Sequence, residues 1–243
     1  MLIKGIQTAL STIYPARCLT CGSLVDSDFG LCGPCWRDTS FLGGTVCDCC
    51  GAPLPGADGQ DALLCDECMT HPRPWVQGRA AMLYTQTGRK LVLALKHGDR
   101  QEIAKPAALW MANALGDIVE ENTLIVPIPL HWLRMIKRRY NQSALLAQAL
   151  GRHLSLPCAP ELLKRPKPTQ SLDGLGRAER YEMLREAIRV NPKLRHQFIK
   201  RPILLVDDVM TSGATLSAAT EVLQQAGSGN IRVVTLARVA KEF

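Results

Sequence analysis

The chain has 243 residues and 47% hydrophobic content, enough for the core of one α/β domain plus a small extra one. No apolar run reaches the roughly eighteen residues of a membrane span, so a bilayer-crossing helix is excluded. A formal net charge of +7 would favour acidic partners, but the ten cysteines change that balance, as set out below. At the N-terminus, Gln7, Thr8, Ser11 and Thr12 interrupt the apolar residues, so the layout of a signal peptide is missing and a cytoplasmic location is expected. Leu2, Ile3, Ile6, Leu10 and Ile13 follow helical spacing instead, which predicts a short amphipathic helix over residues 1–16 that packs rather than attaches to a membrane.

Eight cysteines form four C-x2-C pairs: Cys18/Cys21, Cys32/Cys35, Cys47/Cys50 and Cys65/Cys68, separated by ten, eleven and fourteen residues. A C-x2-C pair can present two thiolates to one tetrahedral metal, and two pairs close a four-cysteine zinc site. Four pairs therefore predict two structural zinc sites with no open position for catalysis. Sequential pairing would give two consecutive ribbons and interleaved pairing a cross-braced module; the short loops favour the sequential arrangement. Cys49 and Cys158 are left over and read as reduced thiols. Eight thiolates and two Zn²⁺ bring the formal charge from +7 to +3, a mildly basic protein. Residues 17–74 carry little aliphatic periodicity and many turn formers, so the metals are expected to be the core of this module, with residues 71–74 as a linker.

From residue 75 to 243 the pattern changes to alternating strands and helices. Residues 79–84 predict a strand, 88–96 and 101–115 helices, and 123–130 (TLIVPIPL) a buried strand. Residues 142–153 and 177–186 predict helices, and 231–239 a closing strand. Trp110 shares a helical face with Ile103, Ala107 and Ala114 and is assigned to the core. Repeated βα units predict an α/β fold, a parallel sheet flanked by helices with a ligand at the carboxyl ends of the strands. Between the second strand and its helix, residues 131–143 form a basic loop containing Arg134, Lys137, Arg138, Arg139, Asn141 and Gln142.

The stretch 203–216, ILLVDDVMTSGATL, is the most informative. Ile203, Leu204, Leu205 and Val206 run without alternation, as in a strand buried on both faces. Asp207 and Asp208 follow, then Val209 and Met210, then the small hydroxyl-rich loop of Thr211, Ser212, Gly213, Ala214 and Thr215. A helix continues with Leu216, Ala219, Val222, Leu223 and Ala226 on one face, and Gly227 is suited to its C′ position. Loop N–H groups and the positive helix end can hold a phosphate monoester, with Thr211, Ser212 and Thr215 adding hydroxyl donors. Gly213 lets the backbone approach closely, and the two carboxylates can accept hydrogen bonds from a cis diol. The string lacks the lysine of a Walker loop and carries its acids before the turn.

This string is similar to the phosphoribosyl-pyrophosphate loop of type I phosphoribosyltransferases. Such a donor carries a pyrophosphate leaving group, for which Arg138, Arg139, Asn141 and Gln142 are the candidates opposite the phosphate loop. Taken in order, the four C-x2-C pairs, the strand ending in VPIPL, the R-R-Y-N-Q-S segment and VDDVMTSGAT resemble the ComF family, which includes GntX-like proteins. The helix before Cys18 and the Lys96-His97-Gly98 segment fit the same pattern. The family's usual Arg-Gly-Phe-Asn-Gln reads Arg-Arg-Tyr-Asn-Gln here, and the T-x-x-Q and R-x-x-N motifs are altered around Thr169, Gln170, Arg180 and Met183.

The resemblance implies a phosphoribosyltransferase-like domain behind a double zinc module, and a role in DNA uptake and use during competence. It implies Asp207 and Asp208 at the ribose hydroxyls, Lys96 and residues 209–215 at the ligand, and Mg²⁺ bridging diol and pyrophosphate. Displacement at the anomeric carbon would have oxocarbenium character. Three roles are compatible: a phosphoribosyltransferase with an open acceptor, a binder of incoming single-stranded DNA, and a sensor of phosphoribosyl pyrophosphate acting on a protein partner of the uptake machinery. The basic residues Lys164, Arg165, Lys167, Arg177, Arg180, Arg185 and Arg189 favour the second, while aromatics at 5% of the chain supply few stacking platforms.

Overall fold

The unbroken apolar run at 203–206 forms the inner half of a strand whose residues are buried on both faces. The computed structural model describes residues 15–26, 30–56, 63–166 and 187–240. The helix expected before Pro15, the helix expected at 177–186, and Lys167, Thr169, Gln170, Arg177, Arg180, Met183 and Arg185 lie outside the described residues, as do the side chains of Arg134 and Lys137. In chain order the elements are α1 (Gly33–Arg37), α2 (Asp66–Thr70), β1 (Gln77–Leu83), α3 (Gln86–His97), α4 (Ala104–Leu115), β2 (Leu124–Pro127), α5 (Trp132–Arg138), α6 (Gln142–Leu154), β3 (Leu163–Lys164), β4 (Arg189–Val190), β5 (Ile203–Met210), α7 (Ala214–Gln225) and β6 (Ile231–Arg238).

Four strands form one parallel sheet in the order β1-β6-β5-β2. Adjacent residues along β5 and β6 serve opposite layers. On one face Ile125, Leu204, Val206, Val234 and Leu236 pack against Leu91 and Leu95 of α3, Met111 of α4, and Leu146 and Leu150 of α6. On the other, Leu124, Val126, Ile203, Leu205 and Val233 meet Leu216 and Leu223 of α7, together with Phe198, Trp75 and the cysteines Cys47, Cys50 and Cys68. Each fully buried Leu or Val contributes roughly 1.5–3 kcal/mol relative to exposure, so neither layer is dispensable.

The second half of the cysteine-rich module is thus part of the sheet's own core, whereas its core was expected to be metal alone. The two backbones nearly touch: a Cβ on Gly78 would lie 2.4 Å from the Cys49 carbonyl oxygen. The module also covers the outer edge of β1, where the Gly78 N–H bonds to Asp48 O at 2.8 Å and the Leu83 N–H to Ser40 O at 2.8 Å. The opposite edge, β2, is covered by residues 157–159 through Ile125 N–H to Pro157 O at 2.9 Å. Both edges are thereby closed to pairing with another chain.

Two local expectations are corrected. Residues 131–143 are not all loop: α5 forms within them, because the His131 ring nitrogen accepts the Leu133 N–H as N-cap and Arg139 ends the helix at φ 65°. Residues 71–74 are not a linker, since Arg73 is buried and bonded into the α/β layer. Elsewhere the expected elements form within a few residues of their predicted ends. Trp110 stands at the core's margin, edge-on to Phe41 of the module.

Candidate functional site

The eight C-x2-C cysteines gather sequentially into two groups, Cys18, Cys21, Cys32 and Cys35, and Cys47, Cys50, Cys65 and Cys68, with the sulfurs of each group within 4.8 Å of one another. A tetrahedral Zn–S site with bonds of about 2.3 Å has sulfurs about 3.8 Å apart. Cys21 and Cys32 sulfurs lie 3.5 Å apart, and those of Cys50 and Cys65 3.6 Å apart, so both groups fit structural zinc. The first group is partly open to solvent at Cys21, while the second is buried except at Cys65. Cys158 stays outside both groups, and burial pushes its thiol up to about 11, which keeps it protonated and inert.

The phosphate-loop sequence lies where β5 passes into α7. The strand runs through the acidic pair to Met210, so Asp207 and Asp208 are strand residues near the carboxyl end rather than the first residues of the loop. Gly213 is the N-cap of α7 with φ 76°, a backbone conformation that favours glycine. A Cβ there would lie 3.2 Å from Arg73 Nη1 and from the Trp75 ring, so the glycine is also required by the module behind the loop. Among the described residues, no backbone carbonyl accepts the N–H of Thr211, Ser212 or Gly213. The first N–H groups of α7 have no intrahelical acceptor either. The result is a row of free donors at a positive helix end.

Asp207 Oδ1 accepts the Ser143 hydroxyl at 2.8 Å and the Asp208 N–H at 2.9 Å. Burial, and then the neighbouring Asp208 carboxylate, push Asp207 up to about 7, against the opposing pull of Ser143 and Lys96. Lys96, at the end of α3, pairs its Nζ with Asp208 Oδ1 at 3.0 Å. Two carboxylates that repel, one of them desolvated, form a donor set suited to a hard divalent cation or to diol hydroxyls.

The basic segment is only partly brought to this site. Arg138 donates to Gln142 Oε1, and Gln142, buried, donates to the Lys96 carbonyl, which ties these three residues together beside the acids. Asn141 is the N-cap of α6, accepting the Ser143 N–H and donating to Ile128 O. Arg139 turns to Asp99 at 3.0 Å with a largely exposed side chain. Its φ of 65° occupies the position where the family pattern has glycine. The neighbouring Tyr140, where the pattern has Phe, uses its hydroxyl to reach Leu95 O at 2.7 Å.

Sequence reasoning did not find Glu67, Arg73, Trp75, Ser143 or Arg238. Arg73 donates to Ser212 O at 2.6 Å and to Glu67 at 2.9 Å; Arg238 donates to Thr211 O at 2.6 Å and to Glu67 at 3.0 Å. Burial acts against the Arg73 charge, but Cys68 and Glu67 outweigh it and hold the guanidinium protonated. Glu67 is likewise held below the usual carboxylate range, burial being outweighed by Arg73 and then Arg238. The one available signal was Arg238 itself, a charge ending the apolar strand IRVVTLAR.

A strand, acid pair and N–H-lined loop in a parallel sheet, behind two four-cysteine centres, define a zinc-ribbon protein with a phosphoribosyltransferase-type domain. The family descriptions that match are a double zinc ribbon domain over residues 9–75 and a phosphoribosyl transferase domain over residues 142–242. Competence protein F of Haemophilus influenzae is 30% identical, covering 94% of this chain and 100% of that one. The DNA utilization protein YhgH of Escherichia coli is 29% identical, covering 92% and 97%, and the competence protein ComFC of Bacillus subtilis 24% identical, covering 93% and 96%. The chain belongs to the ComF family. Among the described residues no helix is long and apolar enough to cross a membrane.

Proposed function

We propose that residues 209–215, with Asp207 and Asp208, bind phosphoribosyl pyrophosphate or a related phosphorylated ribose, in a cytoplasmic protein that serves DNA uptake and utilisation. The observation that carries this reading is the set of free N–H groups at residues 211–213 beside a pair of strand carboxylates. In this reading the loop N–H groups and the Thr211, Ser212 and Thr215 hydroxyls hold the 5′-phosphate. The carboxylates accept the ribose hydroxyls and favour positive charge developing at the anomeric carbon. Lys96, Arg138, Arg139, Asn141 and Gln142 are the groups assigned to the pyrophosphate side, where Lys96 exchanges its bond to Asp208 for a phosphate oxygen. Mg²⁺, which Asp207 and Asp208 would hold together with the ligand, would neutralise pyrophosphate charge.

Phosphoribosyl pyrophosphate with Mg²⁺ should raise the melting temperature, and the double substitution Asp207→Asn with Asp208→Asn should remove that shift. An unchanged wild-type melting curve at millimolar ligand rejects the reading.

A second reading, direct binding of single-stranded DNA, is favoured by α5, which exposes Trp132, Leu133, Met135 and Ile136 within the segment that is basic in sequence. An exposed indole is a stacking platform for a base. Binding should then weaken with salt in proportion to the phosphates contacted, and Trp132→Ala should weaken it further. Absence of binding at low salt discards this reading.

A further inference from the structure

The loop at 211–213 is gripped from behind by two buried guanidiniums that come from distant parts of the chain. Arg73 takes the Ser212 carbonyl, Arg238 takes those of Met210 and Thr211, and both turn their remaining terminal nitrogens to Glu67, which stands between Cys65 and Cys68 on α2. Across a trans peptide the N–H points opposite to the C=O that precedes it. Holding the carbonyls of 210–212 inward therefore aims the N–H groups of Thr211, Ser212 and Gly213 outward, toward the ligand side. Two buried positive charges here face one carboxylate, and Nε of each arginine has no hydrogen-bond partner among the described residues.

A zinc ion in the second cysteine group would make that group a further counter-charge. Zinc held by four thiolates is a doubly negative group. Cys50 Sγ lies 3.9 Å from Arg238 Nη2, and Cys68 adjoins Arg73. The second cysteine group and the two guanidiniums that hold the loop are thus in direct contact through Cys50, Cys68 and Glu67, so the packing of this group fixes where the guanidiniums stand. Among the described residues the first cysteine group has no such link to the loop.

We propose that Arg73 and Arg238 are positioning residues for the loop at 211–213, and that zinc in the second cysteine group, and not in the first, sets the loop's grip on a phosphate. The inference rests on the reading of that loop as a phosphate site, so its test has a readout in the free protein. Backbone ¹⁵N order parameters of the full-length zinc-loaded chain should be near about 0.85 at 211–213 and fall below about 0.6 in Arg73→Gln, with both zincs retained and residues 203–206 unchanged. Titration with phosphoribosyl pyrophosphate and Mg²⁺ should show affinity weakened at least about tenfold. Arg73→Lys should not restore it, because one ammonium cannot reproduce a guanidinium's fixed fork between Ser212 and Glu67. Cys21→Ser, in the first group, should leave both readouts at wild-type values. Unchanged order parameters in Arg73→Gln overturn the proposal, and so does an equal loss in Cys21→Ser. If the wild type fails to bind while Arg73→Gln still loosens the loop, the phosphate reading falls and the positioning role stands.

Discussion

Asp207→Asn should make the free protein more stable, and by an amount that depends on pH. The wild-type carboxyl moves from an unfolded value of 3.8 to about 7 in the folded protein, because it is buried and next to Asp208. A raised folded value means that its contribution is fully present below 3.8 and is lost as pH rises through about 7. At about 1.4 kcal/mol per pH unit the full loss is about 4 kcal/mol, of which about 2 kcal/mol falls between roughly pH 5.5 and 8.5. Asparagine carries no charge and can still accept the Ser143 and Asp208 hydrogen bonds through its carbonyl. The melting-temperature difference, variant minus wild type, should therefore grow by about 4–8 °C across that range for a chain of this size. Taking the difference cancels the acid sensitivity of the zinc thiolates, which both proteins share. Phosphoribosyl pyrophosphate with Mg²⁺ should narrow the gap from the wild-type side. A difference that stays flat from roughly pH 5.5 to 8.5 would refute the account of Asp207 as a desolvated, charge-repelled carboxyl.

Three further outcomes follow from local geometry. Arg139→Gly should stabilise the chain by about 0.5–1 kcal/mol in urea unfolding, since it relieves a left-handed backbone and gives up only an exposed ion pair. Gly213→Ala should destabilise by about 1–3 kcal/mol and abolish the ligand-induced melting shift, because φ 76° is unfavourable with a Cβ that also meets Arg73 and Trp75. Cys65→Ser, measured by zinc content and hydrogen exchange, should release one zinc and deprotect α7 and β1 as well as the module, whereas Cys21→Ser should deprotect only its own ribbon. Protection of α7 that survives Cys65→Ser would contradict the packing of the second group into the sheet core.

The parts of this fold written in local runs are legible in the sequence itself. The apolar Ile203 to Val206 followed by two acids and a hydroxyl-rich turn could serve few other purposes, and four C-x2-C pairs announced two metal centres by spacing alone. What escaped were contacts between residues far apart in sequence. Arg73 meets Ser212 across 139 positions and Glu67 meets Arg238 across 171, and no periodicity marks such pairs. Arg73, flanked by prolines, imitates a linker in local terms. Helix α5 was missed because Trp132, Leu133, Met135 and Ile136 face solvent and present no buried stripe. The pairing of the acids with Lys96 and Ser143 depends on where the ends of α3 and α6 converge, which follows from tertiary packing.

The sheet order has a consequence for how the chain acquires its shape. β6, the last of the strands in sequence, lies inside the sheet, with β1 on one side and β5 on the other. A growing polypeptide can pair β2 with β5 early, but β1 must wait, carrying the cysteine module with it, until Arg238 has emerged to face Leu83. Until then two strand edges that are internal in the finished sheet stay open, and the closing contacts span some of the longest loops in the chain. The eight cysteines are thus synthesised well before the strand that completes the sheet core into which the second group packs.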